Sequence, residues 1–243
     1  MPDAIETLLG HRSIRTFKTD PVPEADIRRA VAAGQMASTS SNVQAYCCLR
    51  VTDAAARAEI AELAGPQQKI VDCGAFFVVC GDSRRHRLIA QRHGQAYDAK
   101  LEGFLVATID AALFAQNMCV AFEAMGYGIC YIGGIRNDLP RLDRTLRLPE
   151  GVYPLFGLCV GVPDEAPLPR PRLPIDAVLF DDRYPADDEM LARVIEYDQT
   201  HRGYTQARGS APKAWSDLMN GKYAAAQRVA VAAYYEGKGA TLA

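Results

Sequence analysis

A chain of 243 residues is long enough for one large domain or two small ones, and at that size roughly 70 to 75% of the unfolded surface can be hidden. Its 27 Lys and Arg against 29 Asp and Glu leave a formal charge of −2, too balanced for the field that drives nucleic-acid or membrane-surface binding. Hydrophobic residues at 49% and charged residues at 23% exclude wholesale disorder and a fibrous repeat, so any basic site has to be local.

In chain order, a short amphipathic helix precedes the segment His11-Arg12-Ser13-Ile14-Arg15-Thr16-Phe17. Ile27, Ala30, Val31 and Gly34 then recur at helical spacing behind Pro23 and the first-turn acids Glu24 and Asp26. Residues 45–51, 75–80, 128–132 and 154–160 are short runs rich in aromatic and β-branched side chains, bounded by Gly, Asp or Pro, and are predicted strands. A small sheet wrapped by helices is the expectation. The stretch 98–125 is predicted as a helix apolar around most of its circumference, which implies burial on all sides. A second subunit along it would provide that cover; a central helix of an α+β domain is the other reading. It carries Asp110, Gln116, Asn117 and Glu123, and an Asp at a bilayer centre costs about 2.5 to 3.5 kcal/mol, so it is read as a core helix and no membrane is expected. After Val162, Pro163, Pro167, Pro169, Pro171 and Pro174 interrupt any regular element and mark a boundary between residues 1–162 and 163–243. The tail from residue 181 is helix-like and polar, with Trp215 the sole tryptophan.

The cysteines Cys47, Cys48, Cys73, Cys80, Cys119, Cys130 and Cys159 contain no C-x-x-C pair and meet no spaced histidine pair, which argues against a metal site. Most sit in apolar runs as reduced, buried thiols, and the first residues lack a charged-then-apolar export pattern. A reducing, cytoplasmic location is the expectation.

In an extended backbone His11, Ser13 and Arg15 share one face, so the segment is either a solvated loop or one side of an anion site presenting imidazole, hydroxyl and guanidinium. Arg170-Pro171-Arg172-Leu173-Pro174 sets two guanidinium groups on a proline-stiffened strand, again surface or phosphate clamp. Two such clusters can neutralise one phosphate monoester in an acidic protein, the pattern of a phosphorylated cofactor and not of a polymer. The polar run at Ser38–Asn42 with Gln44, and Gln67 with Gln68 behind Gly65-Pro66, offer neutral donors and acceptors, or simply cap helices and turns. Gly133 and Gly134 close a strand with bare backbone on which a flat ligand can lie. Gly126 and Gly128 lack the third glycine of a dinucleotide fingerprint, and neither G-x-x-x-x-G-K-[ST] nor G-x-S-x-G occurs. His86 and His93, in an Arg-rich helical segment, are given no chemistry.

The run Gly10-His11-Arg12-Ser13-Ile14-Arg15-x-Phe17, with Tyr131-Ile132-Gly133-Gly134-Ile135-Arg136-Asn137, Pro154-Leu155-Phe156-Gly157-Leu158-Cys159-Val160-Gly161, Pro171-Arg172-Leu173-Pro174 and Trp215-Ser216-Asp217, resembles the oxygen-insensitive NADPH-dependent nitroreductase and flavin reductase family. Order and spacing match over nearly the whole chain. The resemblance implies an α+β fold, a mainly antiparallel sheet surrounded by helices, in an interlocked homodimer with FMN at the interface. Residues 1–162 would form the FMN-binding core. Residues 163–243 would complete the phosphate site and contribute to NADPH binding and dimer packing.

Carried over by position, His11, Ser13, Arg170 and Arg172 would hold the FMN phosphate. Arg12, Arg15, Ser40, Asn42, Gln67, Ile132, Gly133 and Gly134 would surround the ribityl chain and the ring, with Arg15 at the N1 edge. Arg208, then Lys213, would meet the NADPH phosphates. Arg170 stands where the family often has lysine, and the segment before Trp215 is shorter than usual, which leaves NADPH and NADH both open. The implied reaction is ping-pong: hydride from NADPH to flavin N5, then two-electron reduction of a nitroaromatic or quinone. The alternative is a flavin reductase that supplies reduced FMN to a monooxygenase. No side chain is required as nucleophile or general base, and the implied partners are small molecules, not nucleic acid.

Overall fold

The computed structural model describes residues 3–240. By their contacts these form two units, residues 3–167 with 230–240, and residues 168–229.

The first unit holds the sheet. All four segments predicted as strands are strands: β1 (Tyr46–Arg50), β2 (Ala75–Asp82), β3 (Gly128–Ile132) and β4 (Val152–Gly161). Their order is β1-β2-β4-β3 and every pairing is antiparallel. β2 is buried along its whole length. That explains why it reads as a continuous apolar run: both faces are covered, so nothing alternates. The expected α+β architecture, an antiparallel sheet among helices, is the one observed.

Helices of this unit are α1 (Ala4–Leu9), α2 (Glu24–Gln35), α3 (Ala54–Leu63), α4 (Lys69–Asp72), α5 (Arg84–Arg92), α6 (Lys100–Ala124) and α7 (Leu139–Leu146). Asp3 starts α1 with a capping box, and the Asp53 carboxylate caps α3 by accepting from Ala56 N at 2.7 Å. Helices α8 (Asp187–Ala207) and α9 (Trp215–Tyr223) belong to the second unit. Helix α10 (Val231–Gly237) packs with the first, where Tyr235 donates to Pro154 O at 2.6 Å.

Helix α6 organises the core. Phe122 meets Phe77 of β2 at 6.2 Å, and Phe114 stacks on Tyr46 of β1 at 4.5 Å and 15°. By length and composition α6 could cross a membrane, with mean hydropathy 1.6, yet Ala107, Asp110, Ala111, Phe114, Met118 and Phe122 face the protein interior. Burial on every side is not met within one chain. Leu101, Leu105, Ile109 and Leu113, four residues apart, are 41 to 55% exposed, because the sheet and α2 cover only one side of the helix.

β3 ends in a tight turn over Gly133–Asn137. Gly134 has no alternative there: a Cβ would lie 2.3 Å from the Ala64 carbonyl oxygen, at the end of α3. Gly134→Ala forces backbone apart, and such overpacking costs about 1 to 3 kcal/mol. Thermal denaturation should register a fall of roughly 2 to 4 °C in Tm per kcal/mol; an unchanged Tm would contradict the packing described.

Candidate functional site

The Gly10–Phe17 segment lies against β3. Ser13 forms a parallel bridge with Ile129, Ile14 N donates to Ile129 O at 2.9 Å, and Ile14 and Phe17 are buried. The polar residues between them are left outward. His11 Nδ1 meets Glu123 Oε1 of α6 at 2.7 Å, which fixes the ring and leaves Nε2 for another partner. Arg12 lines a small cavity of about 260 Å³ with Glu6, Ile14 and Glu123. Arg15 is exposed; its Nη1 donates to Ser13 O at 3.2 Å, and its backbone N–H donates to Glu165, which also accepts from Thr16 N at 3.1 Å.

Gln67 and Lys69 are in contact through Gln67 Oε1 and Lys69 Nζ. Burial pushes the Cys130 thiol up, opposed by the charges of Arg15 and Lys69. Two cations thus act on the one strand, β3, that ends at Ile132 and leads into Gly133 and Gly134. Ser40 and Asn42 lie in an exposed loop between α2 and β1, where Ser41, Asn42 and Gln44 all take left-handed φ values of 46°, 58° and 52°. Asparagine tolerates that region; serine and glutamine do so less readily. Such conformations persist only where surroundings impose them, and they concentrate at functional sites.

In the second unit Arg170, Arg172 and Arg208 line one cavity of about 510 Å³ together with Tyr197, His201, Tyr204 and Trp215. Arg172 Nη1 donates to Arg170 O at 2.9 Å, and the guanidinium groups of Arg170 and Arg208 lie 6.0 and 5.6 Å from the Tyr204 ring centre. Burial alone would push the Tyr204 phenol up. The hydrogen bond from Arg170 and the charges of Arg208 and Arg170 outweigh it and hold the phenol below its ordinary value. That is the mark of an electropositive pocket. Lys213 is not part of the lining; its backbone carbonyl receives His201 Nδ1 at 2.8 Å and its N–H donates to Thr205 Oγ1 at 3.0 Å.

Several residues around these positions were not singled out in the sequence: Glu123, Glu165, Lys69, Tyr204 and His201. The one local signal was a carboxylate inside an apolar helix, at Glu123. The other four become visible only once distant segments meet.

The Nitroreductase family model matches residues 8–162, and the model of the Nitroreductase family C-terminal domain matches residues 170–243. The chain belongs to the nitroreductase family. It is 43% identical over 225 residues to the FMN reductase (NADPH) of Bacillus subtilis, covering 90% of each chain. It is 40% identical over 223 residues to the oxygen-insensitive NADPH nitroreductase of Salmonella typhimurium, covering 89% of each. The structure of the NfrA1 nitroreductase from B. subtilis superposes with a TM-score of 0.94 at 40% identity, covering 98% of each chain.

In this nitroreductase-family chain the cavity of the second unit depends on how α9 meets α8. The Asp198 carboxylate of α8 accepts from Ser216 N at 2.9 Å and from Ser216 Oγ at 2.5 Å. Burial would raise that carboxyl, but the Ser216 bonds and the Arg202 charge outweigh it and hold it below the ordinary aspartate range. A carboxyl depressed by folding stabilises above its unfolded pKa of about 3.9 and ceases to do so as pH falls through its folded value. Trp215 emission should therefore be constant from neutral pH down to about pH 4 and shift below it. Asp198→Asn should give the acid-like emission already at pH 7; an emission that ignores both changes would refute the coupling.

Proposed function

We propose that this chain is an FMN-dependent NADPH oxidoreductase that works in ping-pong order, nicotinamide and acceptor using one place in turn. The observation that carries the reading is the cavity lined by three arginines, two of which, Arg170 and Arg208, hold the Tyr204 phenol below its ordinary pKa. The donor set fits the cofactor. A phosphate monoester takes paired guanidinium groups, for which Arg170 and Arg172 are assigned, and hydroxyl and imidazole donors, for which Ser13 and His11 are assigned. The ring's polar edge takes amides, backbone N–H groups and a cation, for which Gln67, Gly133, Gly134 and Arg15 are assigned. Ser40 and Asn42 are assigned to the ribityl side with Arg12, and Ile132 gives an apolar surface.

Bound FMN supplies the two-electron acceptor and donor, chemistry that none of these side chains provides. The residues' own work is to bind, orient and set the electrostatics. Arg15 and Lys69 favour added negative charge nearby, and Glu123 holds His11 in one orientation. Arg208 is assigned to the phosphates of the dinucleotide; Lys213 frames that region through its backbone. Nitroaromatics and quinones are the proposed acceptors. The relatives' names, FMN reductase (NADPH) among them, also favour free flavin as acceptor, and the alternative reading adds its delivery to a monooxygenase; turnover with free FMN against turnover with a nitroaromatic separates the two acceptors.

The exposed stripe on α6 supports a homodimer. Four leucine and isoleucine side chains at helical spacing form a face that a second copy of α6 can cover.

The purified protein should be yellow and should bleach within seconds of anaerobic NADPH addition; a colourless protein that FMN cannot reconstitute would defeat the reading. Arg172→Ala removes a charge-assisted bond worth about 1.5 to 3 kcal/mol, so FMN should dissociate roughly 10- to 100-fold more readily. Ile109→Asp buries a charge in the proposed dimer face. Light scattering should then give the mass of one chain, 26.5 kDa, where the unaltered protein gives twice that; a monomeric unaltered protein would rule out the dimer.

A further inference from the structure

The loop between α2 and β1 is bent against the preferences of its residues, and something outside it holds it there. Ser41, Asn42 and Gln44 are left-handed in close succession. Two backbone N–H groups flanking them point at one carboxylate of α6. Ser40 N donates to Asp110 Oδ1 at 3.3 Å, and Ala45 N donates to Asp110 Oδ2 at 3.0 Å. Asp110 is 1% exposed, so its charge is stabilised by these N–H donors and not by water. From α5, His86 Nε2 meets Val43 O at 2.9 Å and Arg85 reaches Tyr46 O. Only at Ala45 does the sheet take over, where Asp82 N donates to Ala45 O at 2.8 Å.

We propose that Asp110 is a positioning residue: its two carboxylate oxygens, one on each end of the left-handed run, hold Ser40 and Asn42 in the geometry that receives the flavin. This rests on the FMN assignment above. A buried acid in the middle of an apolar helix is costly unless it does such a job, and its position on the helix that packs the core makes the loop as fixed as the core itself. His86 and Arg85 assist on the carbonyl side, but neither engages an N–H group, so neither substitutes for Asp110.

Asp110→Asn keeps the shape but accepts with one oxygen only, and its NH2 faces an N–H donor. FMN titration of the apoprotein should show a dissociation constant at least tenfold higher than for the unaltered chain, with weaker quenching of flavin fluorescence. Amide hydrogen exchange should accelerate at Ser40 and Ala45 while Phe76 to Val79 of β2 keep their protection. Ser41→Gly in the same background should recover at least threefold of the lost affinity, because glycine reaches φ 46° without steric cost. A merely structural role for Asp110 predicts no such rescue. Affinity within twofold of the unaltered chain, or no recovery by Ser41→Gly, would overturn the inference while leaving the FMN assignment intact. An unaltered chain that binds no FMN overturns both. Should Asp110→Asn not fold, exchange in the unaltered protein decides: slower at Ser40 and Ala45 than at Asn42 and Gln44 supports the clamp, and equal rates overturn it.

Discussion

Helix α6 lies so close to β2 that Gly81 has little room for a side chain; a Cβ there would stand 3.1 Å from the Ala107 Cβ. On its other flank α2 approaches until a Cβ on Gly34 would sit 2.8 Å from the Phe114 ring. Interiors at crystal-like density leave no play in such contacts. The position of α6 is therefore set to within a few tenths of an ångström, and whatever it carries is set with it. It carries Asp110 and Glu123, which reach the loop before β1 and the Gly10–Phe17 segment that pairs with β3. Polar groups that would otherwise stand on loops alone are thereby referred to the helix that packs against the central strand.

The second unit solves a different problem. Its cations are exposed, so they retain their hydration, while aromatic rings give them a shaped wall. Tyr197 meets Trp215 edge-on at 5.8 Å, and its hydroxyl donates to Pro171 O at 2.8 Å between the two arginines in sequence. The segment is irregular and not the strand its sequence suggests; the prolines stiffen it, the tyrosine ties it to α8, and its guanidinium groups line the cavity. Cations held this way lose little conformational freedom when they meet an anion.

Much of the frame was legible from the residues. Strands announced themselves as aromatic and β-branched runs between glycines, prolines and aspartates, and α6 as a long apolar helix. The family followed from five short motifs in register, none of which is decisive by itself. Asp110 and Glu123 were visible only as charges that disfavour a membrane span. Their partners lie 65 and 112 residues away, and no local pattern encodes a contact over that distance. His86 looked like part of a solvated basic helix, since nothing in its neighbourhood points to Val43 O. Lys69 stood two residues from Gln67, yet its bearing on Cys130 depends on β3, a strand that begins far later in the chain at Gly128. The left-handed run at Ser41, Asn42 and Gln44 contains no glycine, the residue by which such backbone is ordinarily spotted.

The first unit is closed by its own distant end. Tyr235 of α10 packs 5.1 Å from Phe104 and 6.2 Å from Tyr153, and Arg87 pairs with Glu150 at 2.7 Å while also donating to Gly239 O. The intervening polypeptide, residues 168–229, therefore departs from and rejoins a frame that is complete without it. A segment anchored at both ends can lengthen at small entropic expense, about 0.6 kcal/mol for each doubling of a flexible loop. Changes of length and sequence can accumulate in that interlude as in an exchangeable cassette, while the sheet and its clasp stay as they are.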